Sequence, residues 1–111
     1  MKRPDDRIYM LNALWFRPDG GSEQYAQFAR AAGPIMSRFG ARIVEAYEPE
    51  LSLIGDWKPS VFFVVELPDF EAFAKLLLDP EYREIARLRE AGLEQSIMIR
   101  CRSACRSGLL D

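Results

Sequence analysis

The chain contains no histidine and only two cysteines among its 111 residues. Without an imidazole there is no histidine general base, no Ser-His-Asp or Cys-His nucleophile, no His-ligated zinc and no proximal haem histidine. Any chemistry must come from carboxylates, Tyr, Lys, Arg, Cys or backbone dipoles. Cys101 and Cys105 stand four apart near the C-terminus, with no second ligand pair to complete a tetrahedral metal site. They read as reduced thiols of a cytoplasmic protein, and neither a metal nor a cofactor is expected. A dominant charge is missing too: 15 Lys and Arg against 17 Asp and Glu leave a net −2, which gives no basic face for nucleic acid. No apolar run is long enough to span a bilayer, so no membrane partner is expected. Lys2, Arg3 and Arg7 precede an apolar stretch, as in a secretion signal. That stretch contains Asn12, is rich in aromatics, and ends in Arg17-Pro18 without a small-residue cleavage site, so it reads as a strand.

What is present is ordinary for a globular domain: 49% apolar and 29% charged residues. We read residues 1–111 as one domain, with an ordered core at about 7–101 and a loose tail at 102–111. A chain of this length buries roughly two-thirds of its unfolded surface without needing staples.

From Arg7 to Phe16 both parities are apolar, the mark of a strand covered on both faces. Pro18-Asp19-Gly20-Gly21 is a turn, and Ser22 is the expected cap of a helix. That helix carries Tyr25, Phe28, Ala29, Ala32, Ile35, Met36 and Phe39 on one stripe. Gly33-Pro34 is expected to kink or split it, and Gly40 to stop it. Ala41 to Tyr47 is a second strand, Leu51 to Ile54 a short third, and Val61 to Leu67 the clearest of all. Asp69 caps one helix and Asp79-Pro80 opens another, with Glu81 in its first turn. Ser96 to Cys101 closes the chain as a last strand. Six of the seven prolines fall at joints, and only Pro34 lies inside an element.

The order β-α-β-β-α-α-β is an α+β, ferredoxin-like arrangement with its second helix broken at Asp79-Pro80. Helices then cover one face of an antiparallel sheet, and the two-sided strands leave the other face apolar and bare. A second copy packed sheet to sheet is the economical cover, so a homodimer is expected.

The segments Gly40-Ala41-Arg42, Gly55-Asp56-Trp57-Lys58-Pro59, Val64-Val65-Glu66-Leu67-Pro68, Asp79-Pro80-Glu81-Tyr82-Arg83 and Leu88-Arg89 resemble the thirteen-thirty domain-of-unknown-function family of the dimeric α/β-barrel superfamily. The resemblance covers roughly residues 7 to 101. It implies a ferredoxin-like protomer and a sheet-to-sheet dimer, and no established activity. Members often carry Glu directly before the turn glycine; here Ile54 stands there, so a role for that carboxylate does not carry over.

Arg89 is the residue most out of place. At about 100° per residue it lies within roughly 20° of Tyr82, on the inward stripe of its helix. Either it pairs with a carboxylate such as Asp56 or Glu66 to hold helix on sheet, or it anchors a carboxylate or enolate ligand. Tyr82, Asp56, Trp57, Glu66 and Asn12 complete the candidate pocket set; each also has a purely structural reading as core, turn or strand residue. Arg83, Glu84, Arg87 and Glu90 read as a solvated face with charge pairs. Three functions fit: a homodimeric domain binding an organic acid or aromatic metabolite, a dimerisation module with a filled interior, or an isomerase- or monooxygenase-like enzyme. The enzyme would need Glu66 or Asp56 beside Arg89.

Overall fold

A computed structural model describes residues 6–110; Lys2 and Arg3 of the signal-like N-terminus and the last tail residue, Asp111, lie outside them. The elements run β1 (Ile8–Phe16), α1 (Gly21–Arg38), β2 (Arg42–Tyr47), β3 (Val61–Leu67), α2 (Phe70–Leu78), α3 (Pro80–Gly92) and β4 (Leu93–Cys101). The strands form one antiparallel sheet in the order β2-β3-β1-β4. This is the ferredoxin-like α+β arrangement expected from the sequence.

The expected joint between the last two helices forms as written. Asp69 Oδ1 accepts from the Ala72 N–H at 2.8 Å, and Asp79 Oδ2 accepts from the Tyr82 N–H at 3.0 Å. Each side chain thereby satisfies a donor that a helix start leaves open. Arg38, at the end of α1, reaches both Asp79 at 3.4 Å and Glu81 at 3.2 Å. Gly40 terminates α1 at φ +76, where its N–H donates to the Ser37 carbonyl. A Cβ there would come within 2.7 Å of Pro68 Cγ, so glycine is required for space as well as for conformation.

Four local expectations are corrected. Ser22 does not cap α1; the helix starts two residues earlier than that cap would place it, behind Gly20 at φ +79, with no side-chain cap. Pro34 does not split α1, which runs unbroken for 18 residues. Gly33 before it has no Cβ to meet the proline ring, and Arg30, whose carbonyl loses its donor, is exposed to water. Leu51–Ile54 forms no strand. The last strand begins at Leu93 rather than Ser96, directly from the end of α3. In the tail, Ser107, Leu109 and Leu110 N–H groups close hydrogen-bonded turns on Ser103 and Ala104.

The two faces of the sheet differ. Ile8, Met10, Leu14, Phe63, Val65 and Leu67 point under the helices and form the buried core. The opposite parity presents Tyr9, Leu11, Trp15, Phe62, Val64, Ile97 and Ile99, all half-buried or exposed. Trp57 lies against Trp15 and Phe62, with centroids 6.2 and 5.5 Å away, and Tyr47 against Phe62 at 5.4 Å. The resulting body is flat, 44 × 41 × 16 Å, one sheet and one helix layer thick. The loop after β2 holds Leu51, Leu53 and Ile54 out at 76, 87 and 98% exposure. Three large aliphatics in water within four residues are unusual for a finished surface.

Candidate functional site

Two glycines set the geometry of the helix layer. Gly21 opens α1 and Gly92 ends α3, and a Cβ on either would sit 2.6 Å from the other's carbonyl oxygen. The Arg17 N–H donates to that Gly92 carbonyl at 3.0 Å. Only glycine allows this approach. One turn along α1 stands Tyr25 and one turn back along α3 stands Arg89, so the contact brings those side chains to one corner. An aromatic chain continues from it: Phe16 to Tyr25 at 5.7 Å, Tyr25 to Phe28 at 5.4 Å and Phe28 to Tyr82 at 5.9 Å between centroids.

Between this layer and the sheet lies a cavity of about 630 Å³, open on one side. Its walls are mainly apolar, with Met10, Phe63, Phe73 and Met98 among them, and its polar lining includes Asn12, Tyr25, Tyr82 and Arg89. That size and mixture suit a small organic ligand. Asn12 is only 5% exposed and donates to the Met10 carbonyl of its own strand at 3.1 Å. The Tyr25 hydroxyl is pushed up to about 12, first by burial, with the nearby Arg89 charge opposing and Tyr82 adding. Burial likewise raises Tyr82, against the pull of Arg89. Both phenols are therefore protonated donors at neutral pH.

The charged residues lining the cavity are Arg42, Glu48 and Arg89. Arg42 borders the cavity at the sheet edge but spends its guanidinium on Glu66 at the opposite sheet face, with Nε 3.1 Å from Oε1, and Glu48 is exposed just beyond β2. Arg89 is half-buried and has no carboxylate within 4 Å among the described residues. A guanidinium facing an apolar cavity without a counter-charge is costly.

The six candidate residues divide between two places. Arg89, Tyr82 and Asn12 come together in the cavity, whereas Glu66, Asp56 and Trp57 do not line it. Glu66 has the parity of the open face, where it holds Arg42 across β2–β3 and Arg7 at 3.9 Å. Trp57 packs on the same face, and Asp56 is exposed beside it in the loop. Neither carboxylate is therefore the partner of Arg89 that the structural reading required. Arg83, Glu84, Arg87 and Glu90 are all exposed, and no ion pair forms among them. Tyr25 is the site residue that periodicity alone hid, since it counts equally as core. The pairing of Gly21 with Gly92 is its only signal, and that pairing exists only in three dimensions.

Among the described residues no helix is long and apolar enough to cross a membrane, and no group of three or more Cys, Asp or Glu could hold a metal ion. The family model described as domain of unknown function (DUF1330) matches residues 20–100. A protein of unknown function from Rhodopseudomonas palustris is 35% identical, with a TM-score of 0.84 over 92% of this chain and 85% of that one. A dimeric ferredoxin-like protein of unknown function from Jannaschia shares 10% identity, with a TM-score of 0.68 over 87% and 99% of the two chains. A mutant of SnoaB, a cofactor-independent oxygenase from Streptomyces nogalater, shares 20% identity, with a TM-score of 0.62 over 88% and 93%. Likenesses at these last two identities concern the fold alone. No curated protein matches the chain.

Proposed function

The chain belongs to the DUF1330 family, and from that premise we propose that it is a homodimeric domain that binds a small organic molecule in the helix–sheet cavity of each protomer. The observation that carries this reading is the cavity itself: about 630 Å³ of unfilled, largely apolar space with Arg89 directed to it and unpaired. A module devoted to association alone would have a filled interior and a neutralised arginine. The organic acid or aromatic metabolite expected from the sequence suits walls of Phe, Met and Tyr. An acid–base enzyme is less well supported, because neither Glu66 nor Asp56 lines the cavity.

The dimer reading rests on the bare face. Strands of 9, 6, 7 and 9 residues, at about 3.4 Å rise and about 4.8 Å spacing, give a flat patch of roughly 500 Å². Its corrugated surface is of the order of the ~800 Å² per partner typical of stable complexes. Leu51, Leu53 and Ile54 extend it at the edge. Structural neighbours from Bacteroides fragilis and Jannaschia are described as dimeric. The free thiols of Cys101 and Cys105 fit a reducing, cytoplasmic setting.

The test is a thermal-shift screen of organic acids and aromatic metabolites, with hits mapped by NMR on the Asn12 side-chain amide. Stabilisation together with a shifted Asn12 signal is the expected result. No stabilisation by any compound, or hits that leave Asn12 unmoved, would overturn the binding reading.

A further inference from the structure

We propose that the ligand is a singly charged organic carboxylate, held by Arg89 and the Tyr25 and Tyr82 hydroxyls at one corner, with its apolar body lying over Met10, Phe63 and Met98. This rests on the cavity being a binding site, as argued above, and adds the charge and orientation of what it takes.

The donor count leads there. A guanidinium offers five N–H donors in a planar fork, and Arg89 spends none of them on a described residue. Neither phenol hydroxyl has a hydrogen-bond partner among the described residues. With the Tyr25 hydroxyl held to about 12 and Tyr82 also raised, both donate and neither competes as an anion. A carboxylate has two oxygens and about four acceptor positions, which match one fork and two hydroxyls. A neutral ligand would leave the guanidinium desolvated and unpaired, at real cost. A doubly charged ligand fails for the opposite reason. Arg42 is already bound to Glu66, and the remaining charged lining residue, Glu48, is itself an anion. A second negative charge would therefore lie against methionine and phenylalanine walls.

Cinnamate, its neutral amide cinnamamide and phenyl phosphate are suitable probes, titrated calorimetrically into the intact protein and into Arg89→Met and Arg89→Lys. Cinnamate should bind at least tenfold more tightly than cinnamamide or phenyl phosphate. The gap over cinnamamide should vanish in Arg89→Met and survive in part in Arg89→Lys. Equal binding of cinnamate and cinnamamide to the unaltered protein would overturn the proposal while leaving the cavity as an apolar binding site. Phenyl phosphate binding as well as cinnamate would overturn the single-charge assignment. If none of the three binds at millimolar concentration, the cavity reading falls and this proposal with it. The comparison on the unaltered protein stands even if the Arg89 variants fold poorly.

Discussion

Replacing Gly92 with alanine should wedge open the contact on which the cavity corner depends. The added Cβ would lie 2.6 Å from the Gly21 carbonyl oxygen, 3.1 Å from the Tyr25 nitrogen and 3.4 Å from Gln24 Cβ. The first two neighbours are backbone, so relief requires α1 and α3 to separate by some tenths of an ångström. Overpacking of this kind costs about 1–3 kcal/mol. Alanine regains up to about 1 kcal/mol over glycine in a helix, less at its last residue, which leaves a net loss of about 1–2 kcal/mol. For a domain of this size that lowers Tm by roughly 4–8 °C. Gly20→Ala is the control: its φ of +79 imposes strain, but nothing lies within 4 Å of the new Cβ. It should lose about 1 kcal/mol without disturbing the corner. Thermal melts give the stabilities, and cinnamate titration reports the corner, with affinity reduced only in Gly92→Ala. An unchanged or higher Tm for Gly92→Ala, as helix propensity alone would give, would refute the close approach of the two helices.

Asp79→Ala removes the cap of α3 together with the Arg38 contact and should cost about 1–2 kcal/mol in urea unfolding, whereas Asp79→Asn, which keeps an acceptor for the Tyr82 N–H, should lose much less. The raised Tyr25 hydroxyl gives a definite alkaline signature. Its folded value of about 12 lies above the ordinary 10, so its contribution is whole below pH 10 and disappears as pH rises from 10 towards 12. Two units correspond to about 2.7 kcal/mol as an upper figure, and Tyr25→Phe should flatten that part of the stability–pH curve. A curve equally steep in the variant would contradict the assignment. Val64→Asp places a charge at the centre of the bare face and should shift the protein from dimer to monomer in size-exclusion chromatography, with its far-ultraviolet dichroism unchanged.

Element order, the Asp69 and Asp79 caps and the split second helix were legible in the sequence because each rests on local rules. Asp69 and Asp79 bond N–H groups three residues ahead, and Gly40 needs only its own φ. Pro34 misled because the local rule counts a lost hydrogen bond and ignores the preceding glycine. Leu51 to Ile54 misled because apolar, β-favouring residues signal burial of some kind, and strand pairing is only one way to achieve it. For the site, helical phase sufficed to place Arg89 over Tyr82, and Asn12 stood out as a polar residue in an apolar strand. Glu66 could not be placed because the face it takes depends on register, where one residue of slip reverses every side chain. Asp56 and Trp57 hang on a loop whose Trp57 ring meets Trp15 edge-on and Phe62 at a tilt, contacts between segments distant in the chain.

The bare apolar face is the feature from which the quaternary reading follows, and sedimentation equilibrium at micromolar concentration addresses it directly. A mass of twice the 12.7 kDa chain is the predicted result. A well-folded species sedimenting at the single-chain mass would contradict it.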